Sequence, residues 1–292
     1  MIPAHIIKKI RRVHIKSRRT VSSIMAGQYR SVFRGSGMEF EEVREYSPGD
    51  EVKSIDWKVS ARLGKPFVKR YREEREAIVM LLIDMSASLD FGTFHGRKLE
   101  KLAETASVLA FSAVKNNDKV GVIFFTDRVE KYIPPKKGSA HIWRVIKEIF
   151  TFEPQGRGTD LNLPLEYVTK VMKKRAFVFI LSDFLGRADS RSLTIARQRH
   201  ELIGIAIRDD GALELPRGGI LPVRDLETGK IRWLDSFNPR TRKAYARIQA
   251  RGRDEIRKLF TRAKSDFMEL NTRDSVADTL TRYFRQREKR LR

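Results

Sequence analysis

The sequence predicts an α/β protein, a doubly wound and mostly parallel sheet flanked by helices, on three observations. The runs AIVMLLI (77–83) and AFVFIL (176–181) are apolar without alternation, the pattern of strands buried on both faces. Between Lys98 and Asn116, the residues Leu99, Leu102, Ala103, Ala106, Leu109, Ala110 and Ala113 form a stripe at the helical period. Strand and helix patterns alternate from Ala77 to about residue 208, as crossovers between parallel strands require.

Residues 2 to about 25 read as a basic amphipathic helix, because Ile2, Ile6, Ile7, Ile10 and Val13 recur at helical spacing. A docking helix with a solvated basic face accounts for that pattern. The next segment, GSGMEFEEVREYSPGDEVKSIDWKVSARLGKPFVKRYREERE, is charged and broken by a Pro-Gly-Asp turn, and its alternating parts predict short strands. Within it, IDWKVSAR predicts a short helix presenting Asp56, Trp57 and Arg62. Strands follow at 77–83, 119–126, 129–134, 176–182 and 201–208, with helices near 98–116, 139–150, 160–174 and 189–200. LPVRDLETGKIRW predicts a hairpin around Glu227 to Gly229, residues 239–264 a long basic helix, FMEL a last strand and 276–290 a closing helix. The expected division is a basic helix and charged segment over 1–76, then an α/β domain over 77–292 with a hairpin and basic helix inserted at about 220–264.

The chain has no cysteine and five histidines, which excludes disulfides and thiolate metal sites and disfavours structural zinc. Its apolar runs fall far short of the roughly 20 residues that a membrane-spanning helix needs, and no signal-peptide core follows the basic N-terminus. The expectation is a cytoplasmic protein without a transmembrane segment. Sixty Lys and Arg against 37 Asp and Glu give a formal charge of +23, which attracts nucleic acid, anionic lipid or an acidic protein. That charge sits at the ends: seven basic and no acidic residues between Met1 and Thr20, ten basic and two acidic between Arg240 and Lys264. Weak peripheral contact with an anionic membrane surface, or with nucleic acid, is therefore an expectation for the two ends.

The chemistry gathers at strand ends. In an open parallel sheet the ligand site lies beyond the carboxyl ends of the strands, where strand order reverses. Asp84 ends the first apolar run and Asp183 ends the second. Asp84, Ser86 and Ser88 occupy alternate positions of the outgoing loop, so an extended backbone would aim all three one way. The loop QGRGTDLN adds Thr159, with Asp160 behind it, among glycines that permit close backbone approach. Carboxylate, hydroxyl and water oxygens suit a hard divalent cation, Mg²⁺ first and Mn²⁺ or Ca²⁺ after it. Two charged ligands leave such an ion net positive, with a coordination position that an external carboxylate can fill. Alone, DMSAS reads more readily as a helix cap, and Thr159 could cap the helix near Leu161. It is DMSAS, GTDL and LSD in this order that point to a metal.

At these residues the sequence resembles a von Willebrand factor A domain, a Rossmann-like fold whose metal-ion-dependent adhesion site reads Asp-x-Ser-x-Ser, then Thr, then Asp. Asp84, Ser86 and Ser88 match the first element, Thr159 the second and Asp183 the third. The resemblance implies that a partner's acidic side chain completes the ion's shell. The segment from Gly35 to Glu76 resembles the signature of the bacterial domain-of-unknown-function fifty-eight family. Members are typically encoded beside MoxR-type AAA+ ATPases, which implies chaperone-like work on a client rather than catalysis. Many carry membrane helices ahead of the signature, and this chain resembles the short branch without them. Salt bridges packing the signature on the sheet are the plain account of its charges; a partner-binding surface made of Glu39, Arg44, Asp50, Asp56, Trp57 and Arg62 is the other.

The expected function is a non-catalytic, metal-dependent protein-binding module. The sequence has no G-x-S-x-G, no cysteine nucleophile and no G-x-x-x-x-G-K-[ST] loop. The competing expectation is a Mg²⁺-dependent nuclease or nucleic-acid-binding protein, drawn from the charge and from Asp84, Asp160 and Asp183. Two-metal phosphoryl chemistry needs several bridging carboxylates, whereas here hydroxyls outnumber acids.

Overall fold

The computed structural model describes residues 10–13, 15–17, 20–21, 29, 32, 37–74, 76–90, 98–186, 188–212, 214–224 and 229–291. The charged segment Phe33–Ala77 forms a unit of its own. In it β1 (Gly37–Glu45) pairs antiparallel with β2 (Phe67–Glu74), with a register shift between Phe40 and Glu42. Helix α1 (Trp57–Leu63) lies between them in sequence. Asp56 caps it by accepting from the backbone N–H groups of Lys58 and Val59, and Gly64 at φ 70° ends it in the left-handed conformation that glycine adopts without strain. The hydroxyl of Ser60 accepts from Phe67 N at 2.8 Å and so ties α1 to β2.

The second unit takes Ile78–Arg292 together with Met1–Val32. Its unalternating apolar runs become β3 (Ile78–Asp84), β4 (Lys119–Phe125), β6 (Phe177–Ser182) and β7 (Glu201–Arg208), buried along nearly their whole length. With β5 (Val129–Lys136) and β10 (Asp266–Asn271) at the edges, they form a six-stranded sheet ordered β10-β7-β6-β3-β4-β5. All neighbours are parallel except β5, which folds back antiparallel on β4. Helices α2 (Lys98–Lys115), α3 (Ser139–Thr151) and α7 (Val276–Leu291) pack together on one face, and α4 (Asn162–Val171), α5 (Ser190–Arg199) and α6 (Pro239–Arg262) on the other. This is the doubly wound, mostly parallel architecture that the sequence predicts, because each inner strand must bury both faces. From β3 the chain winds outward through β4, and from β6 it winds the other way through β7, so the reversal falls between β3 and β6.

The insertion after β7 is a hairpin of β8 (Ile220–Arg224) and β9 (Ile231–Asp235), followed by α6, whose start is capped by Asn238 and opened by Pro239. The turn at Glu227 lies outside the described residues, while Gly229 takes φ 71°.

The N-terminal residues group with the α/β unit and not with the charged segment, unlike a division at residue 76. Specific contacts explain it. Tyr29 meets Phe284 of α7 edge-on at 6.0 Å, Lys16 pairs with Glu104 at 2.9 Å, and Lys115 donates to the carbonyl of Val21 at 3.4 Å. Ile10 is buried, and Arg11 and Arg12 beside it are exposed. Ile2, Ile6 and Ile7 lie outside the described residues.

Candidate metal centre

Strands β3 and β6 run in register with Ile83 opposite Leu181, so Asp84 and Asp183 emerge at the same sheet edge. Asp84 is wholly buried, and Ser86, Ser88, Thr159 and Asp183 are each 5% exposed or less. Oδ1 of Asp84 accepts from Ser86 N at 2.8 Å and Oδ2 from the hydroxyl of Ser182 at 2.5 Å. The hydroxyls of Ser86 and Ser88 lie 3.1 Å apart. The Thr159 loop closes on the same edge: Ala87 N donates to the carbonyl of Arg157 at 3.1 Å. A Cβ on Gly186 would stand 2.1 Å from the Thr159 carbonyl, so only glycine lets the Asp183 loop lie against it.

The structure thus brings Asp84, Ser86, Ser88, Thr159 and Asp183 to one edge, although the path of the first loop differs from the extended one expected. It turns at once into a short 3₁₀ helix, Ala87–Asp90, because Asp84 captures the N–H two residues on and Leu89 N bonds back to Ser86 O. Thr159 is not the cap of α4. The helix starts after Leu161 without a side-chain cap, and Asp160 turns the loop just before it, with Oδ1 accepting from Asn162 N at 2.9 Å and its own N–H donating to Thr126 O at 3.0 Å. Its carboxylate serves the loop.

Burial first, then the neighbouring Asp183, raises the Asp84 carboxyl against the hydrogen bonds from Ser182 and Ser86, with the net result pushed up to about 7. Two buried carboxylates with three hydroxyls form a hard-oxygen donor set, and that chemistry fits Mg²⁺, Mn²⁺ or Ca²⁺. Among the described residues no group of three or more His, Cys, Asp or Glu side chains could hold a metal; this set relies on hydroxyls instead.

Three residues here escaped the sequence reading. Lys98 Nζ donates to Asp183 Oδ2 at 2.8 Å and to the carbonyl of Ser88 at 3.3 Å, inside the site. Its signal was a lysine four residues before Leu102, on the buried stripe of α2. Ser182 stood in view in LSD without a role. Arg208, buried at the end of β7, donates through Nη1 to the Asp183 carbonyl at 2.6 Å, a bond between sequence-distant residues that no local pattern signals.

Three of the residues singled out in the charged unit make contacts within it. Arg44 Nη2 donates to Asp50 Oδ1 at 2.7 Å, Asp50 also accepts from Ser47 N, and Asp56 caps α1 and pairs with Lys69 at 3.2 Å. Glu39 sits opposite Arg72 in the β1–β2 register. Trp57 is 68% exposed, and Val52, Leu63 and Arg62 are exposed too.

Fold and site together define a doubly wound α/β protein with a hydroxyl-rich, two-carboxylate site at the switch point. The chain belongs to the family described as protein of unknown function DUF58, whose model matches residues 42–255. An uncharacterized protein of Mycobacterium tuberculosis is 29% identical over 273 residues, covering 92% of this chain and 86% of that protein. Among solved structures, an aerotolerance-related membrane protein from Bacteroides fragilis matches with TM-score 0.48 and 13% identity over 73% of this chain and 99% of that one. The SpRpn10 VWA domain matches with TM-score 0.39 and 8% identity over 70% of this chain and 94% of that one. Among the described residues no helix is long and apolar enough to cross a membrane.

Proposed function

We propose that this protein is a non-catalytic, metal-dependent protein-binding module that acts with a MoxR-type AAA+ ATPase on client proteins. The observation that carries it is the convergence of five buried oxygen-bearing side chains, only two of them acidic, at the sheet's switch point. Asp84, Ser86, Ser88, Thr159 and Asp183 would hold the ion, whose charge, short of neutralisation, favours a carboxylate from the partner. The ATPase partnership rests on the family resemblance. The exposed Trp57, Val52 and Leu63 support a second contact on the charged unit. The test is calorimetry of the intact protein with Mg²⁺ and Mn²⁺, then capture of the purified ATPase with and without EDTA. Ion-dependent capture that Asp84→Ala abolishes supports the reading; equal capture in EDTA removes it.

A specific observation favours an additional role at a membrane surface. On the β8–β9 hairpin and the turn after it, Ile220, Ile231, Trp233 and Phe237 are all more than half exposed, beside the basic α6. Apolar and aromatic tips next to Arg-rich surface suit anionic lipid. Sedimentation with anionic but not zwitterionic vesicles, lost in Trp233→Ser, tests it; binding of duplex DNA or RNA instead would favour the nucleic-acid reading.

A further inference from the structure

We infer that Lys98 is an internal cation of the metal centre, a tethered ammonium that neutralises Asp183 and competes with the divalent ion for it. The inference rests on the reading of this site as a metal centre. Two features of Lys98 place an ammonium inside the site. First, its residue is 5% exposed although lysine is almost never buried unless paired. Second, its Nζ lies 2.8 Å from Asp183 Oδ2 and 3.3 Å from the carbonyl of Ser88, so it bridges the third motif to the first.

The consequence follows from charge. Asp84 and Asp183 are side by side and buried, so together they match one divalent ion. With Lys98 paired to Asp183, one of the two charges is already answered, and the Nζ occupies the Asp183 carboxylate that would hold an ion. Two cations cannot share that space without strong repulsion in a low-dielectric site. Lys98 must therefore turn away before Asp183 can serve an ion. The site holds two alternative cations, which keeps its ion affinity modest and keeps Asp183 from standing as an unpaired buried charge when no ion is bound.

The experiment compares the intact wild-type protein with Lys98→Met and Lys98→Gln by calorimetry with Mg²⁺ and Mn²⁺, and by thermal melts with and without ion. Gln keeps donors for Asp183 and the Ser88 carbonyl, so it serves where Met fails to fold. Expected are an ion Kd tighter by about tenfold or more, since every ~1.4 kcal/mol of relieved repulsion is tenfold, and a lower Tm without ion that added ion restores. Wild-type and variant proteins binding the ion equally, or the variants binding more weakly, would overturn the competition while leaving the metal centre intact. No ion binding by wild type or either variant would overturn both, leaving Lys98 a plain structural ion pair.

Discussion

The hydroxyl of Ser182 donates to Oδ2 of Asp84 across 2.5 Å, joining the end of β6 to the end of β3. The same oxygen accepts from Phe184 N at 2.9 Å, so one small side chain fixes both the first acid and the backbone that carries the second. Ser182→Ala should lower stability by about 1.5–3 kcal/mol, the range for a hydrogen bond to a charged group. Urea unfolding at pH 7.5 checks the loss. In a cycle with Asp84→Asn the two losses should not add, because the residues share one bond; additive losses would mean that Ser182 acts only through Phe184.

Gly186→Ala should weaken the site more than the fold. A Cβ there would meet the Thr159 carbonyl at 2.1 Å and the Thr159 Cβ at 2.4 Å, so the Asp183 and Thr159 loops must part. Overpacking of this kind costs about 1–3 kcal/mol, and the moved Asp183 should lose ion affinity by about tenfold or more, equivalent to ~1.4 kcal/mol. Mn²⁺ titration beside thermal melts separates the two effects. A stable variant with unchanged Mn²⁺ affinity would show that Thr159 is not part of the site.

The fold was legible because its signals are local. Ile78–Ile83 and Phe177–Leu181 declare buried strands by themselves, and the stripe from Leu99 to Ala113 declares α2. The motif residues were legible because strand ends in such a sheet converge by topology. What stayed hidden depends on pairs far apart in sequence. Lys98 with Asp183 and Arg208 with Asp183 leave no periodicity to read. The path of the Asp84 loop was misread as extended because capture of Ser86 N by the carboxylate competes with the extended chain over only two residues. The grouping of the N-terminal residues with the α/β unit needed Tyr29 against Phe284, a contact across the whole chain.

His200 should give the protein an acid-sensitive limb away from the metal centre. It lies just before β7, at the opposite end of that strand from Arg208, buried, with Nδ1 accepting from Ala176 N at 3.3 Å. Burial first, then Arg199 and Arg175, lowers its pKa from 6.5 to about 4. The unfolded chain therefore binds a proton between those values that the folded chain refuses. The stability due to neutral His200 is full above pH 6.5 and is lost as pH falls toward 4, at up to ~1.4 kcal/mol per unit. Urea midpoints at pH 5 and 7.5 should converge in His200→Asn, whose side-chain oxygen can still accept from Ala176 N. An unchanged gap between the two midpoints would assign the limb to other groups.

Arg208 should act on the ion through Asp183 without touching it. Its Nη1 donates to the Asp183 carbonyl at 2.6 Å, and its Nε stands 3.6 Å from Glu269, which Arg253 and Arg257 also hold at 2.8 and 3.3 Å. The guanidinium thus pins the Asp183 backbone to β7 and to the network between β10 and α6. Arg208→Met leaves Glu269 paired with its two other arginines, so no carboxylate is stranded. What it strands is the Asp183 carbonyl, at a cost of about 1–3 kcal/mol. If the bond positions the ligand, Mn²⁺ affinity should fall as well, and the loss should shrink when Gly186→Ala has already displaced the loop. If Arg208 merely braces β7 against β10, stability should fall and Mn²⁺ affinity should stay as in the wild type. Calorimetry and urea unfolding on the same preparations decide between the two.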